Sequence, residues 1–360
     1  MNDPVITAYN HNLLNGKPLS ITWQSPSNIA IVKYWGKTGR QLPLNPSVSL
    51  SLSRAYTETR LTAFPGNFSG AISLDFLFNG KPNTAFGERI SKLLTSVADE
   101  FPFLNQLYLK IESGNTFPHS SGIASSASSF SALALCICSL AEHLRGFPDP
   151  DFRRNASQLA RLGSGSACRS LYSGFSLWGE TAELPDSSSD LYAIPVPLVH
   201  PVFGGLRDAI LLLNQGTKKV SSSLGHSRME HHPFGEARIR QANINTADLL
   251  KALAAGDTGE FIRIAENEAL TLHALMMTSQ PGFVLLEPET LRIINRIREI
   301  REQTGLQISF TLDAGPNIHL MYFESDREQV QRIIVEDLLQ NDKQNKWIDD
   351  QAGTGPLQIT

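Results

Sequence analysis

Hydrophobic positions along the chain repeat with two different periods, and these periods alternate from one end of the chain to the other. Alternating apolar and polar residues predict half-buried strands, whereas apolar residues three and four positions apart predict helices. The strand pattern covers residues 21–32, 48–52, 57–61, 72–78, 107–111, 173–179, 209–213, 308–312 and 318–323. The helix pattern covers residues 86–98, 125–144, 152–162, 228–254, 261–273, 291–304 and 327–339. Strands followed by helices in each half favour an α+β fold.

Local details refine this pattern. Asn79-Gly80, at the end of the strand 72–78, is a hairpin signal. The helix 291–304 has an apolar stripe with charged residues outside it. The stripe is Leu291, Ile294, Ile297 and Ile300, and the charged residues are Arg292, Arg296 and Glu299. The last twenty residues or so are polar, so we expect a loose tail.

The length of 360 residues exceeds what a single hydrophobic core usually supports, so two domains are expected. A run of three serines and the prolines at 195, 197 and 201 interrupt the pattern in the middle of the chain. We place the boundary there and predict domains at residues 1–197 and 198–360.

Charge and cysteine content narrow the classes of function. The 31 Lys and Arg residues against 35 Asp and Glu give a net charge of −4, which offers no electrostatic attraction for nucleic acid or an anionic membrane. The three cysteines, Cys136, Cys138 and Cys168, suit neither a disulfide framework nor a zinc site. The first residues lack the charged start and apolar stretch of a signal peptide, and the apolar run 132–140 is too short to span a bilayer. We therefore expect a reduced, cytoplasmic enzyme.

A serine-rich segment, Pro118-His-Ser-Ser-Gly-Ile-Ala-Ser-Ser-Ala127, joins a predicted strand to a predicted helix. Small residues allow close approach of a ligand, and a helix start offers unpaired N–H groups that bind anions. The hydroxyls of Ser125 and Ser126 suit phosphate oxygens or Mg²⁺. The segment is not a Walker loop, because no Gly-Lys-Ser/Thr closes it. A tightly packed helix start capped by serines is the alternative.

Three further segments carry candidate chemistry. Arg161-Leu-Gly-Ser-Gly-Ser-Ala-Cys-Arg-Ser170 could clamp an anion through Arg169, or be a helix C-cap with a surface arginine. Asp313 ends an apolar strand, where a carboxylate can deprotonate a hydroxyl or simply form a turn before Gly315-Pro316. Lys33-Tyr-Trp-Gly-Lys37 places two cations beside two aromatic rings, which suits a charged substrate or a solvated strand end.

Together these segments resemble the signature segments of the mevalonate diphosphate decarboxylase family, in the family's order, over residues 21–324. The segment 118–127 is similar to the phosphate loop of the GHMP kinase superfamily. Leu272-His273-Ala274, ahead of Ser279-Gln280-Pro281, resembles a further family segment.

The resemblance implies a two-domain GHMP kinase-like fold, with a ribosomal protein S5-like N-terminal domain, a ferredoxin-like C-terminal domain and a site between them. It implies ATP- and Mg²⁺-dependent phosphorylation of the 3-hydroxyl of mevalonate 5-diphosphate. Loss of phosphate and CO₂ then gives isopentenyl diphosphate. It also implies a homodimer.

The resemblance assigns roles to individual residues. Asp313, Lys33 and Ser126 are the implied catalytic residues. The implied substrate-binding residues are Asn28, Tyr34, Lys37, Ser166 and Arg169. The implied ATP- and phosphate-binding residues are Pro118, Ser121, Gly122, Ala124, Ser125, Ser126 and Ala127, with Ser125 as the Mg²⁺ ligand. A stretch from Lys219 to Ser223 resembles a loop near the triphosphate, whereas residues 225–233 match no family segment.

Several activities fit this pattern. A decarboxylase of mevalonate 5-phosphate or of the 3,5-bisphosphate would use the same Lys33 and Asp313. A mevalonate 3-kinase would stop after phosphorylation, and the Asp313–Lys33 pair argues against it. A non-catalytic binding protein would have no need for the loop serines, Arg169 and Asp313 together.

Overall fold

The computed structural model describes residue 14 and residues 16–65, 72–118, 123–213, 222–340 and 346–360. The strands are β1 (Leu19–Val32), β2 (Lys37–Thr38), β3 (Leu42–Pro43), β4 (Ser47–Pro65), β5 (Ser73–Phe78), β6 (Lys81–Pro82), β7 (Leu107–Asn115), β8 (Phe175–Trp178), β9 (Ala193–Pro195), β10 (Leu206–Leu211), β11 (Ser309–Thr311), β12 (Ile318–Phe323), β13 (Trp347–Gln351) and β14 (Leu357–Gln358). The helices are α1 (Thr84–Ser96), α2 (Ser125–Arg145), α3 (Phe152–Gly163), α4 (Ser222–Ser227), α5 (Gly235–Ala255), α6 (Thr258–Thr278), α7 (Pro288–Thr304) and α8 (Arg327–Ile333). Short 3₁₀ segments lie at Pro102–Asn105, Gly165–Leu171, Pro201–Gly205 and Glu324–Asp326.

The first sheet is built on the two long antiparallel strands β1 and β4. Its order is β14-β1-β4-β7-β5-β6, and β8 and β9 extend the other half of β4. The pairing of β5 with β7 is parallel, and the hairpin predicted at Asn79-Gly80 joins β5 to β6. The β1–β4 register shifts between Pro26 and Asn28 and between Ala30 and Val32, so β1 bends just before it reaches Lys33.

Helix α2 packs across the first sheet and is the centre of the N-terminal core. It is apolar on nearly all sides, and 89% of its most apolar window is buried inside the protein. Its serines meet hydroxyls of the sheet, as in Ser25 with Ser131 at 2.5 Å and Thr57 with Ser128 at 2.6 Å. Small side chains therefore let the helix lie close to β1 and β4 while their polar groups stay paired.

The second sheet has the order β11-β12-β10-β13 and is antiparallel throughout. Helices α7 and α8 bury their apolar residues on one face of it, with Ile293, Ile297 and Val330 fully enclosed. On the other side a shared core joins β10 and β12 to α5, α6, the last residues of β1 and the first half of β4, through residues such as Ile31 and Phe261. This shared core fixes the position of the second sheet relative to β1.

The mixed α+β class is confirmed, while several details of the sequence interpretation are wrong. The two strands predicted at 48–52 and 57–61 are the single strand β4. The helix predicted from 228 begins at Gly235, because Pro233 disfavours helical geometry in the residue before it and His231 adopts a positive φ of 58°. Helix α8 ends at Ile333 and continues as a π-helical turn over Ile334–Leu338.

The orientation of α7 and the order of the tail also differ from expectation. Leu291 is 47% exposed, and Ile293 takes its place on the buried stripe because the helix is rotated toward the second sheet. The tail forms β13, which pairs with β10, and β14, which pairs with β1. These strands depend on distant partners, which the polar pattern of the tail does not show. Since β14 joins the first sheet, the division into 1–197 and 198–360 stays a prediction.

Candidate active site

A cavity of about 250 Å³ lies where the end of β1 meets the N-terminus of α2 and the loop after β11. Helices α1, α4 and α6 and the segment after α3 complete its wall. The lining residues are Asn28, Ala30, Lys33, Tyr34, Trp35, Lys37, Gln41, Arg89, Ala124, Ser126, Gly163, Ser164, Gly165, Ser166, Arg169, His226, Leu272, Asp313 and Ala314. Both halves of the chain therefore contribute to one cavity.

Lys33 and Asp313, from opposite halves of the chain, form an ion pair at the floor of this cavity. The Lys33 Nζ lies 3.5 Å from Asp313 Oδ1 and donates a hydrogen bond to the Ala30 carbonyl at 2.6 Å. The lysine side chain is 2% exposed, while the carboxylate is 29% exposed and reaches the cavity. Burial lowers the pKa of Lys33, and the negative charges of Asp313 and Glu268 act in the opposite direction. A buried cation thus supports a carboxylate that a ligand can approach.

His273 on α6 supports the loop that carries this carboxylate. Its Nε2 lies 3.1 Å from the Asp313 carbonyl oxygen. Burial lowers the pKa of His273 to about 4. The imidazole is therefore neutral near pH 7, and Nε2–H donates to the carbonyl.

Arg169 and Asn28 present polar atoms to the cavity from its side wall. The Arg169 guanidinium is buried, donates from Nη1 to the Ser47 hydroxyl and lies 5.9 Å from the centre of the Trp178 ring. Asn28 Nδ2 donates to the Ser166 carbonyl at 3.2 Å and to the Ser170 hydroxyl at 2.8 Å. Arg169 Nε and Asn28 Oδ1 are buried and have no hydrogen-bond partner among the described residues. Such atoms are costly unless a bound molecule satisfies them.

Aromatic rings close the cavity beside Arg169. Tyr34 packs 4.6 Å from Trp178 and 4.3 Å from the His226 ring, measured between ring centres. His226 Nδ1 accepts the Gly36 N–H at 3.1 Å, which ties α4 to the segment after β1. A Cβ on the neighbouring Gly225 would come within 2.3 Å of Trp35, so only glycine allows this close approach. The Tyr34 hydroxyl is buried and has no hydrogen-bond partner in the part of the chain that the structure describes, and burial raises its pKa.

The charge of the cavity wall is opposite to that of the whole protein. Lys33, Lys37, Arg89 and Arg169 line it against the one carboxylate of Asp313, among the described residues. Burial lowers the pKa of Lys37, and the charge of Arg89 lowers it further. Lys37 Nζ donates to Gln41 Oε1 at 2.9 Å. The wall therefore favours a ligand with several negative charges.

The helix start of the serine-rich segment also reaches the cavity. Ala124 and Ser126 line it, and the Ser126 hydroxyl lies 3.3 Å from the Ser164 hydroxyl. Ser125 accepts a hydrogen bond from the Asn115 amide at 2.7 Å. Ala124 has a positive φ of 34°, which turns the chain sharply into α2. The anion-binding end of α2 therefore faces the same space as Lys33 and Asp313.

The structure brings together most of the residues singled out from the sequence. Those that line the cavity are Asn28, Lys33, Tyr34, Lys37, Ala124, Ser126, Ser166, Arg169 and Asp313. Pro118 and Ser125 are not part of this lining, and the side chain of Ala127 is buried in the N-terminal core. Ser121 and Gly122, and the Lys219–Ser223 match apart from the backbone of its last two residues, lie outside the described residues. The individual binding roles stay predictions.

Three lining residues lie outside every segment that the sequence singled out for candidate chemistry. Arg89 is one charged residue on an amphipathic helix, with no motif around it. Gln41 lies in a short loop before β3, and His226 lies in the stretch 225–233 that matched no family segment. Only the adjacent Gly225 and His226 gave a local hint of a role in the site. The other residues have none, because tertiary packing alone brings them to the cavity.

Comparison with known proteins identifies both halves of the chain. Residues 25–190 match the diphosphomevalonate decarboxylase-like N-terminal domain, and residues 209–358 match the mevalonate 5-diphosphate decarboxylase C-terminal domain. The chain is 32% identical over 320 residues to diphosphomevalonate decarboxylase of Candida albicans, with 85% of each chain covered.

Solved structures give the same answer. The mevalonate diphosphate decarboxylase of Staphylococcus aureus superposes with a TM-score of 0.82 at 30% identity, covering 96% of this chain and 100% of that one. A structure described as MDDEF in complex with MVAPP, AMPPCP and magnesium superposes with a TM-score of 0.81 at 28% identity, covering 95% and 99%. The expected GHMP kinase-like fold is confirmed by these matches. The chain belongs to the diphosphomevalonate decarboxylase family.

Proposed function

We propose that this protein catalyses the ATP-dependent decarboxylation of mevalonate 5-diphosphate to isopentenyl diphosphate, with release of ADP, phosphate and CO₂. The observation that carries the proposal is the Lys33–Asp313 pair at 3.5 Å inside a cation-lined cavity next to the start of α2. A tertiary hydroxide is a poor leaving group, so the 3-hydroxyl must be converted to a phosphate ester before the carboxylate can leave.

Asp313 accepts the proton of the substrate 3-hydroxyl, while the oxygen of that hydroxyl attacks the γ-phosphorus of ATP. Lys33 neutralises negative charge that builds up on the transferred group. The C3–O bond to phosphate then breaks, which leaves positive charge at C3. The bond between C2 and the carboxyl carbon supplies its electron pair to form the double bond, and CO₂ departs. The charges and atoms balance without an oxidant or reductant.

Arg169, Lys37 and Tyr34 hold the phosphorylated end of the substrate in this proposal. Arg169 Nε and the Tyr34 hydroxyl are buried atoms that a phosphate or carboxylate oxygen would satisfy. Asn28 and Ser166 bind on the same side, and Arg89 adds a further charge. Ser126 contacts the transferred phosphate.

ATP and Mg²⁺ fit the N-terminal end of α2. Mg²⁺ prefers hard oxygen ligands and retains waters and phosphate oxygens in its shell. Ser125, oriented by Asn115, would supply such an oxygen, and the backbone around Ala124 and Ser126 would supply N–H groups for phosphates, whereas the Ala127 N–H donates to the Ala124 carbonyl at 2.7 Å. Pro118, Ser121 and Gly122 complete the proposed loop. When bound, Mg²⁺ would neutralise part of the negative charge of the triphosphate.

The decisive experiment supplies purified protein with ATP and Mg²⁺ and, separately, mevalonate, its 5-phosphate, its 5-diphosphate and its 3,5-bisphosphate. We expect CO₂ and isopentenyl diphosphate from the 5-diphosphate, identified by mass. A phosphorylated product without CO₂ would indicate a 3-kinase, and turnover of the monophosphate or bisphosphate alone would indicate a sister decarboxylase.

The substitution Asp313→Asn tests the carrying observation. Asparagine preserves the shape but cannot accept the proton, so we expect kcat to fall by at least about 100-fold. Nucleotide binding, measured by calorimetry, should persist because Asp313 does not form the α2 phosphate site. CO₂ release at a near-normal rate would contradict the assignment.

The working form that we propose is a cytoplasmic homodimer that binds neither nucleic acid nor membranes. Three buried free cysteines support the cytoplasmic location, because they suit a reducing compartment. The net charge of −4 supports the lack of binding to nucleic acid and membranes. Sedimentation of the purified protein tests the dimer, and cell fractionation tests the location.

A further inference from the structure

A buried ion pair between Arg238 on α5 and Glu268 on α6 lies directly behind the end of β1. Its two hydrogen bonds are 2.6 Å from Nη1 to Oε1 and 2.7 Å from Nη2 to Oε2. The side chains are 1% and 0% exposed. Neither residue lines the cavity, and the reaction described above uses neither of them.

The pair binds both polar groups of the Lys33 peptide. The Lys33 N–H donates to Glu268 Oε2 at 2.8 Å, and Arg238 Nη2 donates to the Lys33 carbonyl at 2.9 Å. The ladder between β1 and β4 ends at Val32 opposite Val48. Lys33 is thus the first residue beyond the ladder, and two helix side chains take over the role of the neighbouring strand.

Two amides complete the arrangement. Asn245 Nδ2 donates to Glu268 Oε1 at 2.6 Å, and Asn45 Nδ2 donates to the Lys33 carbonyl at 3.0 Å. Each oxygen of Glu268 therefore accepts two hydrogen bonds. A carboxylate bound in this way has one orientation, so the backbone of Lys33 that it holds has one position.

Stability alone explains such a pair poorly. Removing two charges from water is expensive, and apolar residues of similar volume often stabilise a protein as well or better. The location of this pair, against the peptide of the lysine that faces Asp313, gives it another use. Displacement of a reacting group by about 1 Å can lower a rate about 100-fold.

Glu268 also brings a negative charge toward the Lys33 ammonium. Three carboxylates interact electrostatically with the Lys33 ammonium: Asp313, Glu268 and Asp208. Two basic groups, Arg169 and His273, also interact with it. Glu268 and Asp313 raise the pKa of Lys33, while burial and Arg169 lower it. Loss of the Glu268 charge would therefore lower that pKa further.

We propose that Arg238 and Glu268 are positioning residues of the reaction, which clamp the Lys33 main chain so that its ammonium stays against Asp313. The proposal rests on the function proposed above. It assigns α5 and α6 a role in catalysis although their ion pair touches no substrate.

The test compares Glu268→Gln, Arg238→Met and Arg238→Lys with the control Glu266→Gln. Glu266 lies two residues away on the same helix; it is itself buried and pairs with the partly exposed Arg301 at 2.5 Å, outside the cavity lining. We expect kcat to fall by at least about 30-fold in Glu268→Gln and Arg238→Met, with KM within about threefold of wild type. Arg238→Lys restores part of kcat, and Glu266→Gln changes only thermal stability.

The pH profile gives a readout that a structural role would not move. In Glu268→Gln the alkaline limb of kcat shifts to lower pH, and in Glu266→Gln it does not. The double substitution Arg238→Met with Glu268→Leu removes both buried charges and guards against unfolding of the single variants. We expect it to fold and to keep a low kcat. Wild-type kcat in the double variant, or kcat within twofold of wild type in Glu268→Gln, overturns the proposal.

A direct titration separates this proposal from the proposed function. Lysine labelled with carbon-13 at Cε reports the protonation of Lys33 by NMR, with Lys33→Arg to assign its signal. We expect Glu268→Gln to lower the titration midpoint and Glu266→Gln to leave it unchanged, even if no mevalonate phosphate is decarboxylated. An unchanged midpoint in Glu268→Gln contradicts the clamp, whereas absence of CO₂ release by wild-type protein contradicts only the proposed function.

Discussion

Burial, rather than residue type alone, decides what the ionisable side chains around the cavity can do. Lys33 and Arg169 are almost inaccessible, and burial lowers the pKa of each. Cys168 lies beside Arg169, yet burial raises its pKa to about 12, so it is a packed neutral thiol and not a nucleophile. Asp313, whose carboxylate is partly exposed, is therefore the group that we propose as the reactive one in this neighbourhood.

The substitution Arg169→Ala should weaken binding of the phosphorylated substrate. A lost charge-assisted hydrogen bond costs about 1.5–3 kcal/mol, which corresponds to a KM about 10- to 150-fold higher. Steady-state kinetics measures this value. Arg154→Ala is the matched control, since Arg154 also lies over an aromatic ring, at 4.5 Å from Tyr192, but outside the cavity lining. An unchanged KM in Arg169→Ala would show that this guanidinium does not bind the substrate.

His273 should make the stability of the protein depend on pH in the acidic range. Its pKa is about 4 in the folded protein against 6.5 for an ordinary histidine, so the unfolded chain binds a proton that the folded chain resists. The contribution of His273 to the free energy of unfolding is fully present above pH 6.5. It is lost as the pH drops toward 4, by about 3 kcal/mol in all. Urea unfolding at pH 7, 6 and 5 measures the effect.

The variant His273→Gln provides the control for this prediction. Glutamine can donate to the Asp313 carbonyl but does not titrate, so its unfolding free energy should depend less steeply on pH. Equal slopes for the two proteins would show that His273 is not buried as a neutral imidazole.

At the scale of elements, the site is built where secondary structures end. β1 ends just before Lys33, α2 begins just after Ala124, and Asp313 follows β11 by two residues. Strand and helix ends carry backbone groups that the element itself leaves unpaired, and these groups are available to side chains and ligands. The segment Gly165–Leu171 places Ser166 and Arg169 toward the same point.

Gly165 shows how closely these ends approach one another. A Cβ at this position would lie 2.8 Å from the Tyr34 hydroxyl and 2.9 Å from Trp178 Cη2, both on rigid rings. We expect Gly165→Ala to lower stability by about 1–3 kcal/mol and to raise the substrate KM. Thermal unfolding and kinetics measure both. At Gly204 an added Cβ would meet no non-neighbouring atom of the described residues within 4 Å, so Gly204→Ala should change neither quantity, and a Gly165→Ala variant that also changes neither would disprove the close packing.

At the scale of the molecule, the C-terminal strands hold the two sheets together. Asp350 on β13 is fully buried and accepts N–H groups from Ser53, Arg54 and Ala55 of β4, at 2.7–2.8 Å. β14 then pairs with β1. The tail therefore connects the second sheet to β4 and β1, and Lys33 directly follows β1.

The substitution Asp350→Ala should be among the most destabilising in the chain. It leaves the N–H groups of Ser53, Arg54 and Ala55 without their charged acceptor, so we expect a loss of at least about 3 kcal/mol in unfolding free energy. Denaturant unfolding gives the value. Asp337→Asn, in a partly exposed pair with Arg296 at 2.8 Å, should cost less than about 1 kcal/mol. Similar losses in both variants would show that the bonds from β4 to Asp350 do not hold the two sheets together.

The sequence by itself determined most helices and strands, the small-residue start of α2, and the family through the segments around Lys33, Ser126, Arg169 and Asp313. These features are local, because periodicity and motif spacing reflect neighbours in the chain. Only the tertiary structure decided the 3.5 Å contact between Lys33 and Asp313, the arrival of Arg89 and His226 at the cavity, and the strands of the tail. The same holds for the Arg238–Glu268 pair, which reaches Lys33 from more than two hundred residues away in the chain. Such contacts depend on packing between distant segments of the chain. Burial then sets the protonation and the position of these side chains, which local sequence patterns do not predict.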